Sequence, residues 1–139
     1  MRKLKVAING FGRIGRAFLK IAWEKQEIEI VAVNDLGSIE SLAYLLRHDT
    51  VYRNWEHKVE VWGTDLVIDG KIIKFISEKD TAKLPWKALE IDVVVDATPK
   101  DIGRDNIEKL YMPRKLKAIV QGGEKHKTTG TSFVAQCNY

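Results

Sequence analysis

Apolar and polar positions change their period several times along the 139 residues. Leu4–Asn9 is a short Val/Ile-rich run and predicts a buried strand. From Gly12 to Lys25 the spacing lengthens. Ile14, Ala17, Phe18, Ile21 and Ala22 recur at helical intervals and predict a helix with that set as its apolar face. Glu29–Asn34 returns to a continuous apolar run. Strand, helix and strand thus close one β-α-β unit in about thirty residues. Ser38 is placed to cap a second helix, Ile39–Arg47, with Leu42, Leu45 and Leu46 turned inward. Asp49–Lys58 has no period and reads as a loop. His57 within it and His48 beside it have no cysteine or further histidine nearby, so both are read as surface residues.

The next stretch alternates. Val59–Trp62, Asp65–Ile68 and Lys71–Ile76 are separated by Gly63-Thr64 and Asp69-Gly70, and Asp-Gly between alternating segments is a hairpin signal. A small antiparallel meander is expected here, where a second crossover helix might have stood. Ile91–Asp96 is another buried strand, ending at Ala97-Thr98-Pro99. Ile102–Leu110 reads as a helix with Ile102, Asn106 and Leu110 near one stripe. Lys117–Gln121 and Ser132–Ala135 read as the last strands.

Composition bounds these elements without altering them. A chain of this length is expected to form one domain, residues 1–139, with its own core. No apolar run approaches the ~20 residues that span a membrane, and the basic start Met1-Arg2-Lys3 lacks a signal-peptide core. A cytoplasmic protein with no membrane association is expected. One cysteine, Cys137, excludes an internal disulfide or a cysteine-based metal cluster within the chain, and no metal ligands are assigned. The net charge of +4 comes from scattered lysines, which read as a solvated surface. Nucleic acid is not an expected partner, since no motif with stacking aromatics accompanies the charge.

The chemistry enters at Asn9-Gly10-Phe11-Gly12-Arg13-Ile14-Gly15-Arg16. Strand, G-x-G-x-x-G and helix in that order form the context of a dinucleotide-binding fingerprint. Gly10 permits the tight turn, Gly12 lets backbone approach a pyrophosphate, and Gly15 packs the helix against the sheet. The N–H groups of Arg13 and Ile14 fall at the helix N-terminus, where free donors and the helix dipole favour an anion. Asp35 lies twenty residues beyond Gly15, at the end of the second strand. There an acidic side chain accepts from ribose hydroxyls and would repel a 2′-phosphate, so NAD is expected over NADP. The fold expected from these signals is α/β and Rossmann-type: a mostly parallel sheet with flanking helices and a small antiparallel hairpin insert.

Beyond the glycine motif, the runs Val33-Asn34-Asp35-Leu36, Leu42-Ala43-Tyr44-Leu45-Leu46-Arg47-His48-Asp49-Thr50-Val51, Val67-Ile68-Asp69-Gly70-Lys71 and Leu84-Pro85-Trp86 carry a resemblance. The chain resembles the N-terminal NAD-binding domain of phosphorylating glyceraldehyde-3-phosphate dehydrogenase. Up to about residue 96 it is similar to the bacterial and eukaryotic branch. From Asp96-Ala97-Thr98-Pro99 onward, and in Gln121-Gly122-Gly123-Glu124-Lys125-His126 and Cys137-Asn138-Tyr139, it is similar to the archaeal branch. Erythrose-4-phosphate dehydrogenase shares this half.

The resemblance implies cofactor contacts at Asn9, Gly10, Gly12, Arg13, Ile14 and Asp35. It also implies them at Lys79, through its backbone near the adenine, at Thr98 in the cofactor cleft, and at Gln121. In the family a cysteine attacks the aldehyde, a histidine lowers that cysteine's pKa, hydride passes to NAD and phosphate releases the acyl group. Cys137 does not match the nucleophile motif, because Gln136 and Tyr139 stand where it has Ser and Thr. His126 is read as a loop residue. The resemblance therefore implies no catalytic residue here. It implies an NAD-binding domain, catalytically incomplete alone, working with a separate catalytic domain or partner chain, and able to join an oligomer. The alternative is a stand-alone, non-catalytic dinucleotide-binding module.

Overall fold

The computed structural model describes residues 1–49, 53–99 and 101–121. Its elements in chain order are β1 (Leu4–Asn9), α1 (Arg13–Trp23), β2 (Ile28–Asn34), α2 (Ile39–Arg47), β3 (His48–Asp49), β4 (Arg53–Asn54), β5 (Val59–Trp62), β6 (Asp65–Ile68), β7 (Lys71–Ile76), β8 (Val93–Asp96), α3 (Ile102–Asn106) and β9 (Lys117–Val120). A 3-10 turn, Thr81–Lys83, follows β7, and α3 runs on into a π-helical turn, Ile107–Tyr111.

Seven strands make one sheet in the order β5-β6-β7-β2-β1-β8-β9. From β7 to β9 every pairing is parallel, while β5, β6 and β7 pair antiparallel. The meander is therefore continuous with the main sheet rather than a separate insert, because β7 serves both parts. Its turn has the expected geometry. Asp69 and Gly70 both take positive φ, 50° and 78°, as a tight hairpin with two left-handed central residues requires.

Parallel strands covered on both faces need apolar side chains on both faces. On one side Leu19 and Ala22 of α1 and Leu42, Ala43 and Leu46 of α2 pack on Val6, Ile8, Ile30 and Val33, and the core extends to Leu66 and Ile73 of the meander. On the other, Ala7, Ala32 and Val94 meet Leu84, Trp86, Ile91, Leu110 and Tyr111. Ile30 and Val33 share a face although three residues apart. The register with β1 jumps there, from Val6↔Ile30 to Ala7↔Ala32, so Val31 is a bulge that resets the alternation.

Helix faces depart from the periodicity in two places. Leu19 is fully buried in α1, whereas Ile14 and Ile21 are 52% and 65% exposed. The sheet meets the stripe of Gly15, Leu19 and Ala22, and the two isoleucines lie to one side of that stripe. In α2, Ala43 replaces Leu45 on the inner face. Ser38 caps α2 as expected, accepting from Ser41 N–H at 3.2 Å. The expected helix Ile102–Leu110 is α-helical only to Asn106, and Ile102 is half exposed. The loop expected over Asp49–Lys58 contains the short β3–β4 pairing. The strand expected over Ser132–Ala135 lies outside the described residues, as do Cys137 and His126.

His57 is not an idle surface residue. Its ring nitrogens lie 2.6 Å from Asp69 Oδ2 and 2.6 Å from Glu24 Oε1, and the ring packs edge-on against Trp55. It ties the end of α1 to the β6–β7 turn. Partial burial lowers its pKa, but the hydrogen bonds to Glu24 and Asp69 and their charges outweigh that and raise it above the ordinary 6.5. A raised folded-state pKa gives stability that is full below about 6.5 and lost as pH climbs through the folded value. The midpoint of thermal unfolding is expected to fall across that window. His57→Gln should remove that component of the slope, and an unchanged slope would exclude the clasp.

Candidate functional site

The five parallel strands end in one line. Ile76, Asn34, Asn9, Asp96 and Val120 are successive cross-strand partners. Beyond that line each chain segment is anchored by an amide donating to its neighbour's last carbonyl. Asp35 N–H reaches Ile76 O at 3.0 Å, and Gly10, Ala97 and Gln121 reach Asn34, Asn9 and Asp96 at 2.8 Å. The chain passes from β1 outward to β2 and β7, then back across to β8 and β9. Ligands in open α/β sheets bind where the order reverses in this way, beyond the carboxyl ends of the strands.

The glycine turn is built by exclusion. Gly10 has φ +94°, and a Cβ there would lie 2.8 Å from Ala97 and Thr98 backbone atoms. A Cβ on Gly15 would lie 2.2 Å from the Gly10 carbonyl oxygen, so helix and turn touch backbone to backbone. Gly12 differs, since a Cβ there would meet nothing within 4 Å. The protein does not fill that space, and a ligand can. Gly12 is the N-cap of α1 without a capping side chain, and the first turn carries no acidic residue. Exposed Arg13 and Ile14 therefore present the end of an 11-residue helix whose first amides have no intrahelical acceptor.

Asp35 stands beside this helix end with its carboxylate already fixed. Oδ2 accepts from Phe11 N–H at 2.7 Å and Oδ1 from Gly37 N–H at 2.8 Å. Each oxygen keeps a further lone pair for an outside donor, which suits two adjacent hydroxyls. Arg16 Nη1 donates to Phe11 O at 3.0 Å and braces the turn from below. Burial lowers the Arg16 pKa, opposed by the charges of Asp49 and Asp35.

The remaining expected residues reach the same edge in different ways. Lys79 is exposed at the end of β7, and its neighbour Glu78 is gripped through both N–H and C=O by Asn34. Thr98 follows β8, with N–H and hydroxyl both donating to Asp96. Gln121 is exposed at the end of β9. Asn9 is the exception. It is 2% exposed and its amide is spent on Asn34, Asp96 and Tyr111, so its side chain lies under the cleft floor rather than in it.

Asn34, Asp96, Asn106 and Tyr111 are functional candidates that the sequence reading did not assign. Asp96 is fully buried and accepts from Asn106 Nδ2 at 2.9 Å and from the Tyr111 hydroxyl. Burial, then the Asp96 charge, pushes the Tyr111 pKa well above its ordinary value, so the phenol remains a donor. The one signal in the sequence was three apolar strands each closed by Asn or Asp.

A cavity of about 570 Å³ opens at the opposite end of the sheet, among Trp23, Lys25, Glu29 and Lys71. It contains none of the expected residues, and the strand-end edge is the better site because anion donors and a fixed carboxylate converge there. Among the described residues no group of three metal-ligating side chains and no helix able to cross a membrane is present.

The profile of the family described as "Glyceraldehyde 3-phosphate dehydrogenase, NAD binding domain" matches residues 4–104. Relatives include the glyceraldehyde-3-phosphate dehydrogenase of Thermotoga maritima, 42% identical over 136 residues, covering 96% of this chain and 40% of the relative. The Buchnera aphidicola enzyme is 39% identical over 122 residues, 88% of this chain and 37% of the relative. The cytosolic Trypanosoma brucei brucei enzyme is 39% identical over 125 residues, 90% of this chain and 38% of the relative. The chain spans about two fifths of the length of these relatives.

Proposed function

The chain belongs to the family of glyceraldehyde-3-phosphate dehydrogenase NAD-binding domains, and from that membership we propose that its strand-end cleft holds NAD as the cofactor half of a phosphorylating aldehyde dehydrogenase. The observation that carries this is the open space over Gly12 at the bare head of α1, with the Asp35 carboxylate locked beside it. The pyrophosphate lies against the N–H groups of Gly12, Arg13 and Ile14. Asp35 accepts the adenosine ribose hydroxyls. The Lys79 backbone borders the adenine side, and Thr98 and Gln121 border the side toward the nicotinamide.

NAD, when bound, supplies the hydride acceptor. The chain's own part is to bind and orient it. Among the described residues no cysteine stands at this edge, and both described histidines, His48 and His57, belong to other parts of the fold. We read residues 1–139 as one NAD-binding domain, which by itself turns over no aldehyde. The family's cysteine and histidine chemistry takes place where a catalytic domain closes over the nicotinamide.

Calorimetric titration with NAD, NADP and AMP tests the reading. NAD should bind more tightly than NADP. Asp35→Ala should weaken NAD by about 10- to 100-fold, the loss of charge-assisted hydrogen bonds worth about 1.5–3 kcal/mol. Absence of binding to all three nucleotides would remove the proposal.

A further inference from the structure

We infer that Asn34, Asn9 and Asp96 form a buried positioning belt that sets the Glu78–Lys79 loop and the Thr98 loop as one unit. The ligand arm of this inference rests on the cofactor reading above; its structural arm does not. The three residues close β2, β1 and β8, which are neighbours in the sheet, and they stand side by side in register. They are 6%, 2% and 0% exposed, so water does not compete for their hydrogen bonds.

The belt is continuous from loop to loop. At one end Asn34 Oδ1 accepts from Glu78 N–H at 3.0 Å, and Asn34 Nδ2 donates to Glu78 O at 3.1 Å. The same Nδ2 donates to Asn9 Oδ1 at 2.9 Å. Asn9 Nδ2 then donates to Asp96 Oδ2 at 3.4 Å and to the Tyr111 oxygen at 3.3 Å. At the far end Asp96 Oδ1 accepts from Thr98 N–H at 3.0 Å and from the Thr98 hydroxyl. Asn106 and Tyr111 donate to the other carboxylate oxygen.

From Asn34 through Asn9 to Asp96 donation runs one way, and it meets the donation from Thr98 at the Asp96 carboxylate. Because Asn34 presents a donor, Asn9 must turn its oxygen toward β2. Its NH2 group then faces β8 and needs an acceptor there, which Asp96 supplies. Turning any one amide over would set donor against donor in a water-free place. A buried polar network of this kind is costly when partly satisfied and acts as a unit when whole. Thr98 is governed by it most directly. With its N–H and hydroxyl hydrogen both spent on Asp96, its cleft-facing conformation is the one Asp96 dictates. Asn34, Asn9 and Asp96 are thus positioning residues acting on two loops that flank the cleft from opposite sides of β1.

The test uses variants at the two ends, leaving the buried carboxylate intact. In ¹H–¹⁵N spectra of the ligand-free protein, Thr98→Val should shift the Glu78 amide, and Asn34→Asp should shift the Thr98 amide. Amides of the β5–β6 hairpin should stay in place, which a general loosening of the fold would not allow. Shifts confined to the mutated end would overturn the belt. For NAD affinity, each single variant is expected to lose about tenfold, and the double variant no more than about threefold beyond the weaker single. A loss of about a hundredfold in the double variant, the product of independent effects, would overturn joint action. If the parent protein binds no NAD, the cofactor reading fails, and the amide shifts still decide the belt.

Discussion

Gly15→Ala is expected to destabilise the protein by about 3 kcal/mol or more, the upper range for overpacking a close backbone contact. The added methyl would stand 2.2 Å from the Gly10 carbonyl oxygen and 3.2 Å from an Ile8 side-chain carbon. The carbonyl belongs to a turn that cannot yield. Gly10 is held at φ +94°, its N–H is bonded to Asn34 O, and its own Cβ position is crowded by Ala97 and Thr98. Relief must come from lifting α1 off the sheet, which uncovers Leu19 and Ala22. Against a total stability of about 5–15 kcal/mol, the loss is large. A urea melt should show a lower midpoint with little change in slope. A midpoint shift equivalent to less than about 1 kcal/mol would mean that the helix does not bear on the turn as described.

Gly12→Val is expected to separate folding from binding. Gly12 has φ −71° and ψ −159°, at the edge of the extended region with φ on the side that L-residues adopt, and its Cβ direction leads into empty space. The variant should therefore melt within about 0.5 kcal/mol of the parent protein, as surface substitutions do. In the proposed site that same space is where the pyrophosphate comes within hydrogen-bond reach of the helix N-terminus. A branched side chain there should weaken NAD by at least about a hundredfold, equivalent to about 2.8 kcal/mol. Unchanged affinity would place the cofactor elsewhere. A folding defect would show that the free space is smaller than it is here. Gly15 and Gly12, three positions apart in one motif, thus carry opposite burdens. One packs the protein against itself, and the other leaves room for what is not protein.

That contrast marks what could be read from the chain. Local signals worked where local physics decides. The α2 boundaries, the Ser38 cap and all three meander strands fall where capping and Asp-Gly chemistry put them. The α1 face was misassigned because apolar side chains spread over more than one stripe of this helix, and periodicity does not say which stripe the sheet takes. Leu19 and Ile21 are equally apolar, and only docking sorts them. The glycine turn and Asp35 were legible as a motif. The belt beneath them was not. Asn9 contacts a residue 25 positions away and another 87 positions away. No window of sequence reveals that β2, β1 and β8 lie side by side. Asn9 shows the cost: an asparagine in a cofactor motif invites a contact with the cofactor, and the fold uses its side chain to hold the floor.

The bulge at Val31 bears on how such a motif may be counted. Twenty positions separate Gly15 from Asp35, and one of them is a residue with no partner on β1. Deleting Val31 would leave a strand of ordinary alternation and nearly the same composition. It would also leave the pairing with β1 unbroken, since Ile30 already faces Val6 and Ala32 already faces Ala7. The side chains that follow would keep their faces, and the acid would still arrive beside the glycine turn. The interval from glycine to acid is thus a ruler with a kink in it. A relative with one residue fewer between the two landmarks, lost within this strand, should lack the bulge and still present its acid beside the turn.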